Sequence, residues 1–247
     1  MKYHTNINGI DVDAVFSDIS VKDIFIPLLK RLSEMHSKKN RRILVMLAAP
    51  PGVGKSTLVS FLEYLAKDVL PDKKVQAIGM DGFHRRQEYL ISHTTTVGDR
   101  EVCMVEIKGA PVTFDLEGLK KKISEVAQGK VCGWPVYERL LHNPVEDAIL
   151  VDGDIVILEG NYLLLDENGW NDLAEHADYT ISIIAEPEML KDRLLTRKMA
   201  SGCTREEAEK FVEFSDMANV RHCMQKTKNA NLELKVCNDL GFVVRNS

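Results

Sequence analysis

Apolar positions along this chain follow two rhythms: short unbroken runs, and stripes spaced three or four residues apart. Ile43 to Ala48 is an unbroken run, the pattern of a strand covered on both faces. Leu58, Phe61, Leu62, Leu65 and Val69 then recur at helical spacing until Pro71, which cannot continue a helix. A second run, Val75 to Met80, ends at Asp81. Leu116, Leu119, Ile123 and Val126 mark another helix, closed by Gly129. Asp154 to Leu158 predicts a third buried strand, ending at Glu159, and Tyr179 to Ala185 a fourth. Pro187 to Lys198 opens a further helix with proline in its favoured first turn. Ahead of all these, "YHTNINGIDVDAVF" alternates about Asn8-Gly9, a dipeptide suited to a type I′ hairpin turn. A helix capped at Ser20, with Asp23 three residues on, follows and carries Ile24, Leu28, Leu32 and Met35; Pro27 starts its main part or kinks it.

Strands that alternate with helices imply an α/β fold with a central parallel sheet, right-handed crossovers and helices on both faces. In such sheets ligands sit beyond the carboxyl ends of the strands. The loop after Ile43 to Ala48, Asp81 and Glu159 all fall there. With no repeat or flexible linker, the chain reads as one domain: residues 1–40 form a hairpin and helix packed on a core of residues 41–247.

Composition narrows the setting. The 247 residues are 45% hydrophobic and 28% charged, ordinary for a globular chain, and no apolar run is long enough to span a bilayer. "MKYHTNING" lacks the order of a secretory signal, so a cytoplasmic protein is expected, with no membrane partner. A net charge of −5 and a pI near 5.8 argue against a nucleic-acid-binding surface and for small-molecule partners. Cys103, Cys132, Cys203, Cys223 and Cys237 are scattered and odd in number, which suits reduced structural thiols. Monomer and homodimer are both left open.

The chemistry begins at "APPGVGKST". Ala49 to Ser56 is a Walker A loop in the form that tolerates alanine first, because that position only ends the strand. Gly52 and Gly54 let backbone curl round phosphate, Lys55 reaches the β and γ phosphates, and Ser56 ligates Mg²⁺. Pro51, Val53 and Thr57 complete the nucleotide-binding stretch. "DGFH" places the Asp81 carboxylate at a strand end facing that loop, where it can accept a proton from an attacking hydroxyl; Asp-Gly is equally ordinary turn chemistry. Glu159 takes the Walker B position, where an acid holds Mg²⁺ directly or through water. Arg193 and Arg197, four apart, share a helix face that either closes on phosphates or is simply solvated. "WPVYERLLH" gathers Tyr137, Arg139 and His142, each able to hydrogen-bond a polyhydroxyl or a base.

In order, "APPGVGKST", "DGFH", "KGAPVTFD", "PVYERLLHNPV", "ILEGNYLLL" and "SDMAN" resemble the phosphoribulokinase and uridine kinase branch of P-loop kinases, over about residues 20 to 240. The resemblance implies a three-layer P-loop NTPase fold of the nucleoside-monophosphate-kinase type, with ATP as donor, Mg²⁺ as cofactor and a small metabolite's hydroxyl as acceptor. It implies Asp81 as base, Lys55, Ser56 and Glu159 as phosphate and metal contacts, and Arg193 and Arg197 as the lid. The acceptor pocket it implies is drawn from His84, Lys108, Tyr137, Arg139, His142, Asn161 and Tyr162. "PVYERLLH" reproduces the uridine kinase acceptor region only in part, so sugars, nucleosides and pantothenate-like alcohols all stay open. The rival is a nucleotide-binding regulator without kinase activity; the N-K-x-D motif of GTPases and the L-S-G-G-Q motif of transporter ATPases are absent.

Overall fold

The computed structural model describes residues 1–7, 9–139, 141–237 and 241–245. The chain opens with a hairpin, β1 (Lys2–Ile7) and β2 (Ile10–Val15), paired from Lys2↔Val15 to Ile7↔Ile10. Asn8 lies outside the described residues, so the expected turn type does too; Gly9 has φ 84° and donates its N–H to Asn6 Oδ1 at 3.0 Å. Next come α1 (Asp18–Ser20), a π turn (Val21–Phe25) and α2 (Ile26–Lys39), in which Pro27 sits in the first turn. The cap is Ser17, three residues before the expected Ser20: its Oγ accepts the Ser20 N–H at 3.1 Å. Ser20 is buried and its Oγ accepts the Phe242 N–H at 2.8 Å instead.

The core follows as β3 (Ile43–Ala48), α3 (Lys55–Val69), β4 (Val75–Gly79) and a 3₁₀ turn over Met80–Phe83. An excursion then adds α4 (Gln87–Ser92), a hairpin of β5 (Thr94–Val97) and β6 (Arg100–Cys103), and α5 (Leu116–Ala127). A second hairpin, β7 (Cys132–Glu138) and β8 (Asn143–Val151), leads to β9 (Ile155–Gly160), β10 (Tyr179–Ile184) and α6 (Pro187–Ala200). The chain finishes with α7 (Arg205–Phe211), α8 (Met217–Lys226), β11 (Leu232–Val236) and β12 (Phe242–Val244).

Six strands form the main sheet in the order β12-β11-β10-β3-β9-β4, parallel except for β12 at its edge. The run 43–48 is apolar throughout because β3 is central and feeds both faces. Ile43, Val45 and Leu47 enter one core with Phe25, Leu29 and Phe61, while Leu44, Met46 and Ala48 enter the other with Leu119, Ile123 and Trp134. Each such fully buried aliphatic side chain contributes roughly 1.5–3 kcal/mol. Helices on both faces of the sheet make three layers. No helix among the described residues is long and apolar enough to cross a membrane.

Two features escape the periodicity. The β5–β6 strands are mostly exposed and polar, and β7 carries Gly133 and Pro135, residues that argue against a strand. The structure accommodates Pro135 with a shift of register between Trp134 and Val136, where no ladder N–H is needed.

Candidate active site

Strand register brings the site together. Leu47 pairs with Glu159 and Ala48 with Gly160, while Gly79 of β4 also lies opposite Glu159. The phosphate-type loop, Asp81 and Glu159 therefore leave the sheet at one edge. Ala49 is buried and its N–H donates to Gly160 O at 3.2 Å, so this position still belongs to the sheet and needs no glycine. Gly52 and Gly54 have φ 83° and 91°, values that L side chains rarely adopt. A Cβ on Gly52 would come 3.0 Å from Leu194 Cγ and 3.2 Å from Leu190 O, whereas one on Gly54 would meet nothing within 4 Å. Thus α6 packs behind the loop and its front stays open. Pro51 and Val53 turn their side chains into the protein and leave backbone to the front; Lys55 and Thr57 are half-buried at the start of α3, whose N-terminus favours an anion.

Ser56 Oγ donates to Glu159 Oε1 at 2.6 Å, and Glu159 Oε2 is buried with no partner among the described residues. Burial raises the Glu159 pKa; Lys55 and the Ser56 hydroxyl pull it down, and the nearby Asp81 charge pushes it up. A hydroxyl beside an orphaned carboxylate oxygen fits a divalent cation that takes its other ligands from phosphate and water. No group of three or more His, Cys, Asp or Glu side chains among the described residues could hold a metal, so an all-protein cage is not the design.

Burial also works against the Asp81 carboxylate, but the surrounding positive charges of His84, Lys55, Arg139 and Arg197 outweigh it and hold its pKa below the usual range. His84 has its own pKa lowered, chiefly by burial, and its Nδ1 donates to the Asp81 carbonyl at 2.8 Å. The charges of His84 and Asp81 thus favour each other against burial, and Lys55, Arg139 and Arg197 add to the pull that keeps Asp81 ionised. Gly82 is required by packing: a Cβ there would overlap the Pro135 carbonyl oxygen, because β7 lies directly on the 80–83 turn.

"DGFH" and "KGAPVTFD" pair with each other. Asp115 N–H donates to Phe83 O at 2.7 Å and Arg85 N–H to Thr113 O at 2.9 Å, with His84 and Phe114 as a bridge between. Lys108, at the start of that segment, donates from Nζ to Gln87 Oε1 at 2.8 Å, Tyr137 Oη at 2.6 Å and the His142 carbonyl at 3.4 Å. Three sequence motifs, far apart in the chain, thus meet around Lys108 and His84. Tyr137, which Lys108 bonds, also lines a cavity of about 200 Å³ together with Ser56, Asp81 and Glu159, with Asn6 and Ile7 of the N-terminal hairpin as one wall.

Other sequence-stated candidates take different places. Tyr162 is fully buried and its hydroxyl donates to Gly109 O at 2.7 Å, so it props the Lys108–Asp115 segment from beneath rather than facing an acceptor. Asn161 is buried with Oδ1 unpartnered. His142 adopts φ 52° and reaches Lys108 through its carbonyl, its side chain being exposed. Arg193 Nη1 donates to Val53 O at 3.2 Å, bracing the loop, while Arg197 Nη2 lies 3.9 Å from Asp216 Oδ1 on the cleft side. The sequence reading passed over Gln87, Asp216 and the hairpin residues Asn6 and Ile7. "SDMAN" pointed to Asp216 without a role; nothing in the alternating hairpin pointed to a cleft wall.

A P-loop opposed by carboxylates at the ends of neighbouring parallel strands defines a P-loop kinase fold. The chain belongs to the phosphoribulokinase / uridine kinase family, whose family model matches residues 44–240. It is 39% identical over 233 residues to the uncharacterized protein YggC of Escherichia coli (strain K12), covering 94% of each chain. It is 29% identical to the pantothenate kinase of Ligilactobacillus salivarius (strain UCC118), covering 72% of this chain and 61% of that one. Among solved structures, a provisionally named fructose transport system kinase from Silicibacter sp. TM1040 superposes with a TM-score of 0.75 at 28% identity, covering 85% of this chain and 98% of the other.

Proposed function

We propose that this chain is an ATP-dependent small-molecule kinase that transfers the γ-phosphoryl group of ATP to a hydroxyl of a small metabolite. The observation that carries the reading is the shared cavity: Asp81 and Glu159, leaving adjacent strands, face the same 200 Å³ space as Ser56 of the loop.

In this reading the backbone N–H groups of residues 52–57 cradle the phosphates, with Lys55 spanning the β and γ positions. Ser56 and Glu159 would hold Mg²⁺, which would draw charge from the phosphate oxygens. Asp81, ionised, orients the acceptor hydroxyl. As its oxygen bonds to the γ-phosphorus and the bridging bond to ADP breaks, the hydroxyl proton passes to Asp81 Oδ. Arg197 faces the charge on the transferring group, while Arg193 keeps the loop in shape through Val53 O. Catalysis comes mostly from positioning and charge complementarity.

The test is Asp81→Asn, which keeps size and removes the base. Turnover, read as ADP release with acceptor present, should fall by roughly 10² to 10⁴ while ATP affinity stays near the parent's. Retention of more than about half the parent kcat would sink the assignment of Asp81 as base. ATP binding without phosphoryl transfer to any hydroxyl compound would instead support the regulatory alternative.

A further inference from the structure

Lys108 and Arg139 stand out: among the described residues no carboxylate bonds the Lys108 ammonium, and Arg139, though it faces Asp81 and Glu159, keeps its Nε–H unpaired. Lys108 is half-buried and all three of its acceptors, Gln87 Oε1, Tyr137 Oη and the His142 carbonyl, are neutral. Its ammonium also lies 4.8 Å from the centre of the Tyr137 ring. Burial alone lowers its pKa to about 8, with no carboxylate to raise it. Arg139 is close enough to Asp81 and Glu159 to be felt by both, yet its Nε is buried without a partner among the described residues.

The remaining charges of the cleft are already spoken for. Lys55 and the loop face the donor's phosphates, Glu159 and Ser56 face the cation, and Arg197 sits beside Asp216. A neutral polyol or nucleoside could accept the Arg139 Nε–H but would leave the desolvated Lys108 ammonium uncompensated, which opposes binding. An anion set between them relieves both at once.

We propose that the phosphate acceptor carries an anionic group, a carboxylate or a phosphate ester, received by Lys108 and Arg139 while its hydroxyl faces Asp81. This rests on the kinase reading above and narrows its substrate class. Gln87, Tyr137 and His142 then act as positioning groups: they fix the ammonium by hydrogen bonds without neutralising it.

The experiment incubates the full chain with γ-labelled ATP and Mg²⁺ and a metabolite extract freed of nucleotides and split on an anion exchanger at neutral pH. Label should move to a product only with the retained, anionic fraction, and the Asp81→Asn chain should make none. Pretreating that fraction with a phosphatase, then removing the enzyme, separates the sources: loss of the acceptor identifies a phosphate ester, persistence a carboxylate. With that fraction, Lys108→Met and Arg139→Gln should each raise the acceptor KM by roughly 10- to 100-fold, as loss of a charge-assisted hydrogen bond does. ATP-induced thermal stabilisation should be unchanged in both, and Lys108→Arg should restore part of the loss. The parent's acceptor KM should rise as pH passes about 8, where Lys108 loses its proton in a setting otherwise charged by Arg139 and faced by His84 and Tyr137. Label transfer with the unretained, neutral fraction, or an acceptor KM indifferent to Lys108→Met and Arg139→Gln, overturns the proposal. No transfer with either fraction while ATP still stabilises the chain overturns the kinase reading and the acceptor class with it.

Discussion

The Glu159 carboxyl lies beneath the loop with one oxygen bonded to Ser56 and the other without a partner among the described residues, where burial opposes its charged form. A carboxyl whose pKa is raised on folding stabilises the native state only below the ordinary range. As pH climbs through the ordinary carboxylate range the unfolded chain ionises first, and the native state loses stability until the folded carboxyl has ionised too. Glu159→Gln removes that cost and the cation's ligand together. We expect its melting temperature at pH 7 to equal or exceed the parent's, with the advantage shrinking toward pH 4, while kcat/KM falls by roughly 10²-fold. A variant that melts well below the parent at pH 7 would show instead that Glu159 is a structural carboxylate. Part of this site was legible from residue type and position alone: Ser56 and Asp81 follow strands, Glu159 stands in the last two residues of one, and the sheet does the rest. The surroundings of Lys108 were not, because Gln87 and Tyr137 lie 21 and 29 residues away in segments without periodic pattern.

At the scale of elements, the β7–β8 hairpin is the piece that turns a nucleotide loop into a two-substrate cleft. It is fastened at one point by Trp134 Nε1, which donates to Gly79 O at 2.8 Å, and pressed at another onto the glycine that follows Asp81. Gly82→Ala forces the two apart. The expected destabilisation is roughly 1–3 kcal/mol, as for other overpacked sites, with a loss of turnover larger than the loss of ATP affinity, since Asp81 shifts and the loop does not. Thermal melts and ATP titration of the one variant check both halves. The strands of the main sheet could be read directly because β3 and β9 are apolar on two faces. This hairpin could not, because Gly133 and Pro135 interrupt its first strand and Glu146 and Asp147 stand in its second. The misplaced cap has a similar cause: Ser17 and Ser20 are both good caps locally, and only Phe242, from the far end of the chain, decides which one is free to act.

For the molecule as a whole, the donor site is a reservoir of stability that is filled only by ligand. A nucleotide present at about 100 times its Kd, bound by the native state alone, adds roughly 2.7 kcal/mol. For a chain of this size that is an expected rise in Tm of roughly 5–10 °C with ATP and Mg²⁺. Lys55→Ala should lose most of it; equal stabilisation of parent and variant in a thermal melt would remove the loop from the donor site. One further property follows from the contacts of Phe242. Its ring lies 5.3 Å from Phe25 and 6.4 Å from Phe16, and Phe16 stacks on Phe61 at 4.0 Å, so the first, middle and last parts of the chain close a single aromatic cluster. The residue that seals the base of the hairpin against α2 is thus drawn from far along the chain, bonded to Ser20 across 222 positions. The hairpin wall of the cleft therefore gains its full cover only when segments 222 residues apart have met, a closure of high entropic cost that local contacts precede.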